Sequence, residues 1–375
     1  MLYKEFGKTG VKVSSLGFGA MRLPMVEKEG KKYVDEDKSV EVIHKAFELG
    51  VNYVDTAPYY CENQSEIAVG KSLKGFRDKV YLSTKNPIED ASGAHFRQRL
   101  EKSLKNLDVD YIDFYHMWGI NLKTYNEKID VENGPLQAAI KAKEEGLIKH
   151  MSFSFHDDPE NMKTIIDTGH FESVLCQYNL LDRANEKSID YANKKGLGVV
   201  IMGPVGGGRL GAPSPIIKNM LNGKVKSTAE MALRFVLANP NVSIALSGMS
   251  TIEMVEENAK VASIPGTLSA EENLKVLEML EENKKLADLY CTGCNYCMPC
   301  PSGLNIPHIF RLMNYNKVYG LKDFAKEEYK KLKTKGNNDG KDVSFCVQCG
   351  ACEKKCPQHI KIISQLKETA KELDV

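Results

Sequence analysis

The stretch "KSVEVIHKAFELGVNYVDTA", residues 38–57, sets a helical pattern directly against a strand pattern. In "KSVEVIHKAFELG" the apolar residues recur at three- and four-residue steps, which places them on one face of a helix. In "VNYVDTA" a short β-branched run is almost unbroken, as in a strand covered on both faces, and an aspartate closes it.

The same pairing recurs down the chain. "SEIAVGKSL" precedes "KVYLSTK", "FRQRLEKSLKNL" precedes "YIDFYHMW", "LQAAIKAKEEG" precedes "IKHMSFS", and "ENMKTIIDTG" precedes "ESVLCQYN". "EKSIDYANKKG" then precedes "GVVIMG", and "TAEMALRFVLAN" precedes "VSIALSG". With "SSLGFGA" as the first strand and "TIEMVEENAKVA" as the last helix, the chain holds eight strand-then-helix units. Eight repeats with short connections predict an α/β fold, a (β/α)8 TIM barrel; an open doubly wound sheet is the alternative.

The barrel pattern stops near residue 265 of 375, too early to account for the whole chain. The expected organisation is a barrel over residues 1–268, a linking helix over 269–290 and a small, mainly α-helical, cysteine-rich domain over 291–375. Helical text such as "KDFAKEEYKKLK" between the cysteine runs distinguishes that domain from a compact strand-rich ferredoxin.

With 51 basic and 50 acidic side chains, the formal net charge is +1, so nothing draws the whole molecule toward nucleic acid or an anionic membrane. The amino-terminal text lacks the apolar core of a secretory signal, and no window approaches the ~20 apolar residues of a membrane span. The expectation is a cytoplasmic protein with a small-molecule substrate.

Of ten cysteines, Cys61 and Cys176 stand alone. The other eight form "CTGCNYCMPCP" (Cys291, Cys294, Cys297, Cys300) and "CVQCGACEKKCP" (Cys346, Cys349, Cys352, Cys356). In a reducing compartment such runs read as metal or cluster ligands. Zinc would pair two C-x2-C knuckles across a longer loop, whereas eight thiolates in two proline-terminated runs fit two 4Fe-4S clusters. By analogy with two-cluster ferredoxins, the fourth cysteine of each run serves the other cluster. One set is then Cys291, Cys294, Cys297 and Cys356, and the other Cys346, Cys349, Cys352 and Cys300. Clusters that only hold the domain's shape are the alternative to redox-active ones.

A barrel gathers its functional residues at the carboxyl ends of its strands. Asp55 ends "VNYVD", Lys85 ends "VYLSTK", and Tyr60 follows five positions after Asp55. A lysine near a phenol favours the phenolate, so the expectation is a lowered Tyr60 pKa, with Asp55 neutralising and orienting Lys85. In "GPVGGGRLG" after the seventh strand, Gly206, Gly207 and Gly208 let backbone N–H groups approach a diphosphate.

Together these residues resemble the aldo-keto reductase family, whose signature reads "DTAPYYCENQSEIAVGKSL" over residues 55–73. The resemblance spans roughly residues 1–263 and includes "FGKTGVKVSSLGFGAMRL", "GLIKHMSFS", "QYNLLDR" and "GMSTIEMVEENA". It implies that Tyr60 donates the proton to a carbonyl oxygen while a nicotinamide delivers hydride to the carbon. It also places Ser154 and Gln177 at the carboxamide and Glu257 and Asn258 at the adenine. The family's catalytic histidine falls on Trp118, with His116 two positions earlier as a substitute or a packed barrel residue. That loss opens enone or other double-bond reduction beside carbonyl reduction. The residues that grip a 2′-phosphate fall on Gly248, Met249 and Met254, leaving NADH as well as NADPH.

The whole chain resembles a subgroup of that family with a carboxyl-terminal domain holding two 4Fe-4S clusters. Hydride moves two electrons and each cluster takes one, so a flavin or a protein electron carrier would join the halves. The leading reading is a nicotinamide-dependent oxidoreductase coupled to its clusters. The alternatives are an ordinary reductase with structural clusters and a non-enzymatic or flavin-assisted electron-transfer protein.

Overall fold

Eight parallel strands pair edge to edge until the last meets the first, in a computed structural model that describes every residue except 222, 287–290, 292–296, 335–339, 357–359 and 375. Two hairpin strands, β1 (Tyr3–Glu5) and β2 (Lys12–Ser14), precede the first barrel strand, β3 (Leu16–Gly19). A second hairpin, β4 (Met25–Lys28) and β5 (Lys31–Val34), follows it. The remaining barrel strands are β6 (Tyr53–Asp55), β7 (Tyr81–Pro87), β8 (Ile112–Ile120), β9 (Ile148–Phe155), β10 (Ser173–Gln177), β11 (Gly198–Met202) and β12 (Ile244–Ser247). Pairing of β12 with β3 closes the barrel and rules out the open sheet.

The opening stretch shows how sequence makes this layer. Asp35 caps the helix Glu36–Glu48 by accepting from the Lys38 N–H, satisfying a donor that has no partner within the helix. Ser39, Val42, Ile43, Ala46 and Phe47 then form its buried face. Each large apolar side chain so buried contributes about 1.5–3 kcal/mol. The chain enters β6, whose three residues are all buried, and delivers Asp55 to the strand's carboxyl end.

The amino-terminal hairpin supplies part of the barrel core. Phe6 is fully buried with Tyr53, Phe114, Leu175, Val200 and Ile244, its ring centroid 4.8 Å from that of Phe114 in an edge-on contact. Gly198 is needed there, because a Cβ would stand 2.4 Å from the Phe6 ring. The second hairpin turns at Glu29 and Gly30, both with positive φ (52° and 73°), as a two-residue loop between twisted strands requires.

By packing, the chain divides into one unit of Met1–Gly207 with Ala232–Thr267 and another of Gly208–Met231 with Leu268–Val375. This differs from the contiguous division expected. The segment after the seventh barrel strand joins the carboxyl-terminal unit because it has apolar and polar partners there. The Arg209 guanidinium lies 5.3 Å from the Tyr315 ring centroid, and Ser214 Oγ donates to the Tyr319 carbonyl at 2.5 Å. The helix Ala270–Leu286 also belongs to that unit, as do the helices Ile306–Lys317, Lys322–Lys331 and Ile362–Leu373, which pack on one another. Among the described residues, no helix is long and apolar enough to cross a membrane.

Candidate active site and cluster ligands

Strand register assembles a polar layer inside the barrel. Asp55 pairs with Ser83, and Lys85 pairs with His116, which pairs in turn with Ser152. All five side chains are buried. Lys85 Nζ donates to Asp55 Oδ2 at 2.5 Å and to the Thr56 carbonyl at 2.7 Å. Ser83 Oγ donates to Asp55 Oδ1 at 2.7 Å and lies 3.0 Å from His116 Nε2. Since the serine proton is committed to Asp55, Nε2 carries the imidazole proton and donates to Ser83. The carboxylate is therefore held from both sides.

Tyr60 stands beside this pair, with Lys85 Nζ 4.9 Å from its ring centroid. Here the structure corrects the expected pKa. Burial pushes the Tyr60 hydroxyl up, and the Lys85 charge only partly offsets it, so the pKa lies above its usual value of 10.0. Tyr60 thus holds its proton at neutral pH. For Lys85, burial favours the neutral amine, but the Asp55 charge, Tyr60 and their hydrogen bonds outweigh it and raise the ammonium pKa.

The signature segment explains Tyr60's position. After Tyr60, Cys61, Glu62 and Asn63 all take left-handed backbone (φ 50°, 55° and 64°), a costly conformation for residues with a Cβ. Ser65 anchors the far side of the turn by donating to the Ala20 carbonyl at 2.8 Å. Buried Glu66 accepts from Thr84 at 2.8 Å and from Asn106 at 3.0 Å. Glu62→Gly relieves one strained residue and raises stability by about 1 kcal/mol, a gain that a denaturation midpoint reads directly.

His116 and Trp118 separate. Trp118 is half-buried, with ring centroids 5.7 Å from Tyr60 and 5.6 Å from Tyr59. His116 is fully buried behind Ser83. Burial, helped by the Lys85 charge, lowers its pKa from 6.5 to about 3, so it is neutral in the fold. The unfolded chain binds this proton below 6.5, so the stability His116 contributes is present above that pH and is lost toward 3. Each pH unit inside the window costs about 1.4 kcal/mol. The stability difference between the wild type and His116→Gln should therefore change between pH 7.5 and 5.5, and an unchanging difference would contradict a neutral buried imidazole.

The other expected contacts spread around the barrel. Ser154 is buried, its Oγ accepting from the Gly119 N–H at 2.7 Å, and Gln177 ends β10 half-buried. Gly206, Gly207 and Gly208 all have positive φ (59°, 66° and 94°) in the helical turn Gly206–Gly211. Asn258 donates to Ser247 Oγ at 3.0 Å, while Glu257 is exposed. Arg22, overlooked in the sequence, donates to the Gly207 carbonyl at 2.5 Å and lies against Gly248. Its exposed guanidinium gives the glycine turn a cationic neighbour.

In the carboxyl-terminal unit, Cys300, Cys346, Cys349 and Cys352 line one cleft with Leu304, Ile306 and Val347. The last cysteine of the first run thus stands with the first three of the second. Four thiols in an apolar cleft suit a 4Fe-4S group. Cys291, Cys297 and Cys356 are half-buried, and Cys294 lies outside the described residues. Among the described residues, no three His, Cys, Asp or Glu side chains converge as ligands of a single ion.

The aldo/keto reductase family model matches residues 15–281. The chain belongs to that family. A 4Fe-4S dicluster domain model matches residues 290–363. This aldo/keto reductase is 31% identical over 283 residues to L-galactose dehydrogenase of Arabidopsis thaliana, covering 68% of this chain and 86% of the relative. It is 27% identical to the uncharacterized oxidoreductase YqkF of Bacillus subtilis, with 70% and 92% covered. Among solved structures it resembles aldo-keto reductase AKR11C1 from Bacillus halodurans in its holo form, with TM-score 0.63, 30% identity and 74% and 96% of the two chains covered. An aldo/keto reductase from Klebsiella pneumoniae in complex with NADP and acetate matches with TM-score 0.61, 25% identity and 73% and 93% covered.

Proposed function

We propose that this aldo/keto reductase uses NADPH or NADH to reduce a carbonyl, or a double bond conjugated to one, with Tyr60 as proton donor. Its carboxyl-terminal domain holds two 4Fe-4S clusters that exchange electrons with a partner. The observation that carries the enzymatic half is the buried Asp55–Lys85 pair set against Tyr60. The NADP-bound relative supports the nicotinamide, and the Gly206–Gly208 turn with Arg22 beside it suits a diphosphate.

A reduced nicotinamide, when bound, supplies the hydride. Tyr60 gives its hydroxyl proton to the oxygen as that oxygen gains charge, and the Lys85 ammonium stabilises the phenolate left behind. Asp55 keeps Lys85 charged and aimed, and Ser83 and His116 keep Asp55 aimed. The four-thiol cleft supports one cluster ligated by Cys300, Cys346, Cys349 and Cys352. The second would take Cys291, Cys294, Cys297 and Cys356. Cluster chemistry, when the groups are bound, is the transfer of single electrons.

Trp118 sets the substrate preference. It replaces a hydrogen-bond donor with an aromatic wall, so planar conjugated substrates gain a stacking partner. Trp118→His should raise kcat/KM for small aliphatic aldehydes by about tenfold and raise KM for aromatic enones. Initial rates of NADPH and NADH oxidation with both substrate sets test this. Unchanged selectivity would remove Trp118 from the site, and no oxidation with either set would overturn the reductase reading.

A further inference from the structure

We propose that the exposed face of the second cysteine run docks a small acidic protein that carries single electrons. The proposal rests on the reading that this domain holds redox-active clusters.

Cys349 is exposed, whereas Cys300, Cys346, Cys352 and Cys356 are half-buried. Beside it, Phe345 and Val347 are 49% and 70% exposed, and Val347 also lines the four-cysteine cleft. Two apolar side chains at a ligand loop leave an apolar centre uncovered, which is how a protein contact is built.

The segment that carries that centre is basic. Between residues 341 and 367, every described charged side chain that is exposed is a lysine: Lys341, Lys354, Lys355, Lys361 and Lys367. Acidic groups in the same segment are turned inward onto backbone. Asp342 is buried and accepts from the Ser344 N–H at 2.8 Å, and half-buried Glu353 accepts from the Ile363 N–H at 2.9 Å. Lys354 and Lys355 lie within the run, and two others contact it or the residue just before it. Lys341 Nζ lies 4.8 Å from the Phe345 ring centroid, and Lys367 donates to Gln348 Oε1 at 2.8 Å.

Since the chain as a whole is nearly neutral at +1, this positive patch is local and steers an acidic partner to one place. An apolar centre flanked by Lys341 and Lys367 favours a folded acidic protein over a bare polyanion, which has no use for Phe345 and Val347. Cys346, Cys349, Cys352 and Cys300 would hold the cluster that serves this face, and each encounter would pass one electron between it and the carrier, one losing what the other gains. No bond forms or breaks, and no proton moves.

The test uses the full chain purified without oxygen, with iron and sulfide measured, and an acidic two-cluster ferredoxin as the probe in calorimetric titration. Expected is binding that weakens about tenfold or more between low and physiological salt, and by a similar factor in Lys341→Glu/Lys367→Glu with unchanged iron content. A control pair on the barrel, Lys102→Glu/Lys105→Glu, should leave binding unchanged. Equal affinity in the Lys341→Glu/Lys367→Glu variant and wild type, or no binding by an iron-loaded chain, would overturn the docking surface and leave the reductase reading standing. A wild-type chain without iron would overturn the reading beneath it, and the surface with it.

Discussion

Tyr60→Phe lowers turnover by about 10²–10⁴-fold, the usual contribution of a general acid, and leaves nucleotide affinity and iron content unchanged. The ring that packs edge-on against Trp118 remains, and only the proton is lost. Lys85→Met behaves differently. It loses turnover to a similar extent but also leaves Asp55 buried at 3% exposure without its cation, which costs about 3–5 kcal/mol of stability. Rapid-mixing kinetics with chemical denaturation separates the two effects. A Tyr60→Phe enzyme with full activity would place the proton donor elsewhere.

The second large effect concerns the clusters. Cys300→Ser should lower bound iron from about eight to about four per chain, because the residue stands with Cys346, Cys349 and Cys352. Cys349→Ser should then lose the same cluster, and the double variant should lose no more than either single one. If Cys300→Ser and Cys349→Ser removed different clusters, each run would serve its own cluster and the crossover would fail.

Much of this was legible because it is written locally. Strand and helix periods alternate visibly from "SSLGFGA" to "TIEMVEENAKVA", and the strand texts "VNYVD" and "VYLSTK" announce Asp55 and Lys85. The cysteine runs are local patterns too. What was not legible depends on register and long-range packing. Ser83 shares a face with Lys85 two positions on, but only the pairing with β6 shows that it bonds Asp55. Arg22 reads as an ordinary charge in "GAMRLP" until the fold sets it against Gly207. The hairpin turn at Glu29–Gly30 lacks the Asn-Gly or Asp-Gly text that usually marks one. Tyr60's raised pKa came from the extent of burial, a quantity that spacing does not carry. Likewise, Gly208–Met231 follows a barrel strand in sequence, yet its partners Tyr315 and Tyr319 lie about a hundred residues on.

The most direct test of the hydride-transfer barrel is to follow a label. The chain, purified without oxygen, is mixed with NADPH or NADH deuterated at the nicotinamide C4 and with a panel of aromatic aldehydes and enones, and the products are weighed by mass spectrometry. The account predicts one deuterium on the reduced carbon, and its near disappearance in Tyr60→Phe. Nucleotide that binds tightly while no member of the panel acquires deuterium would contradict it.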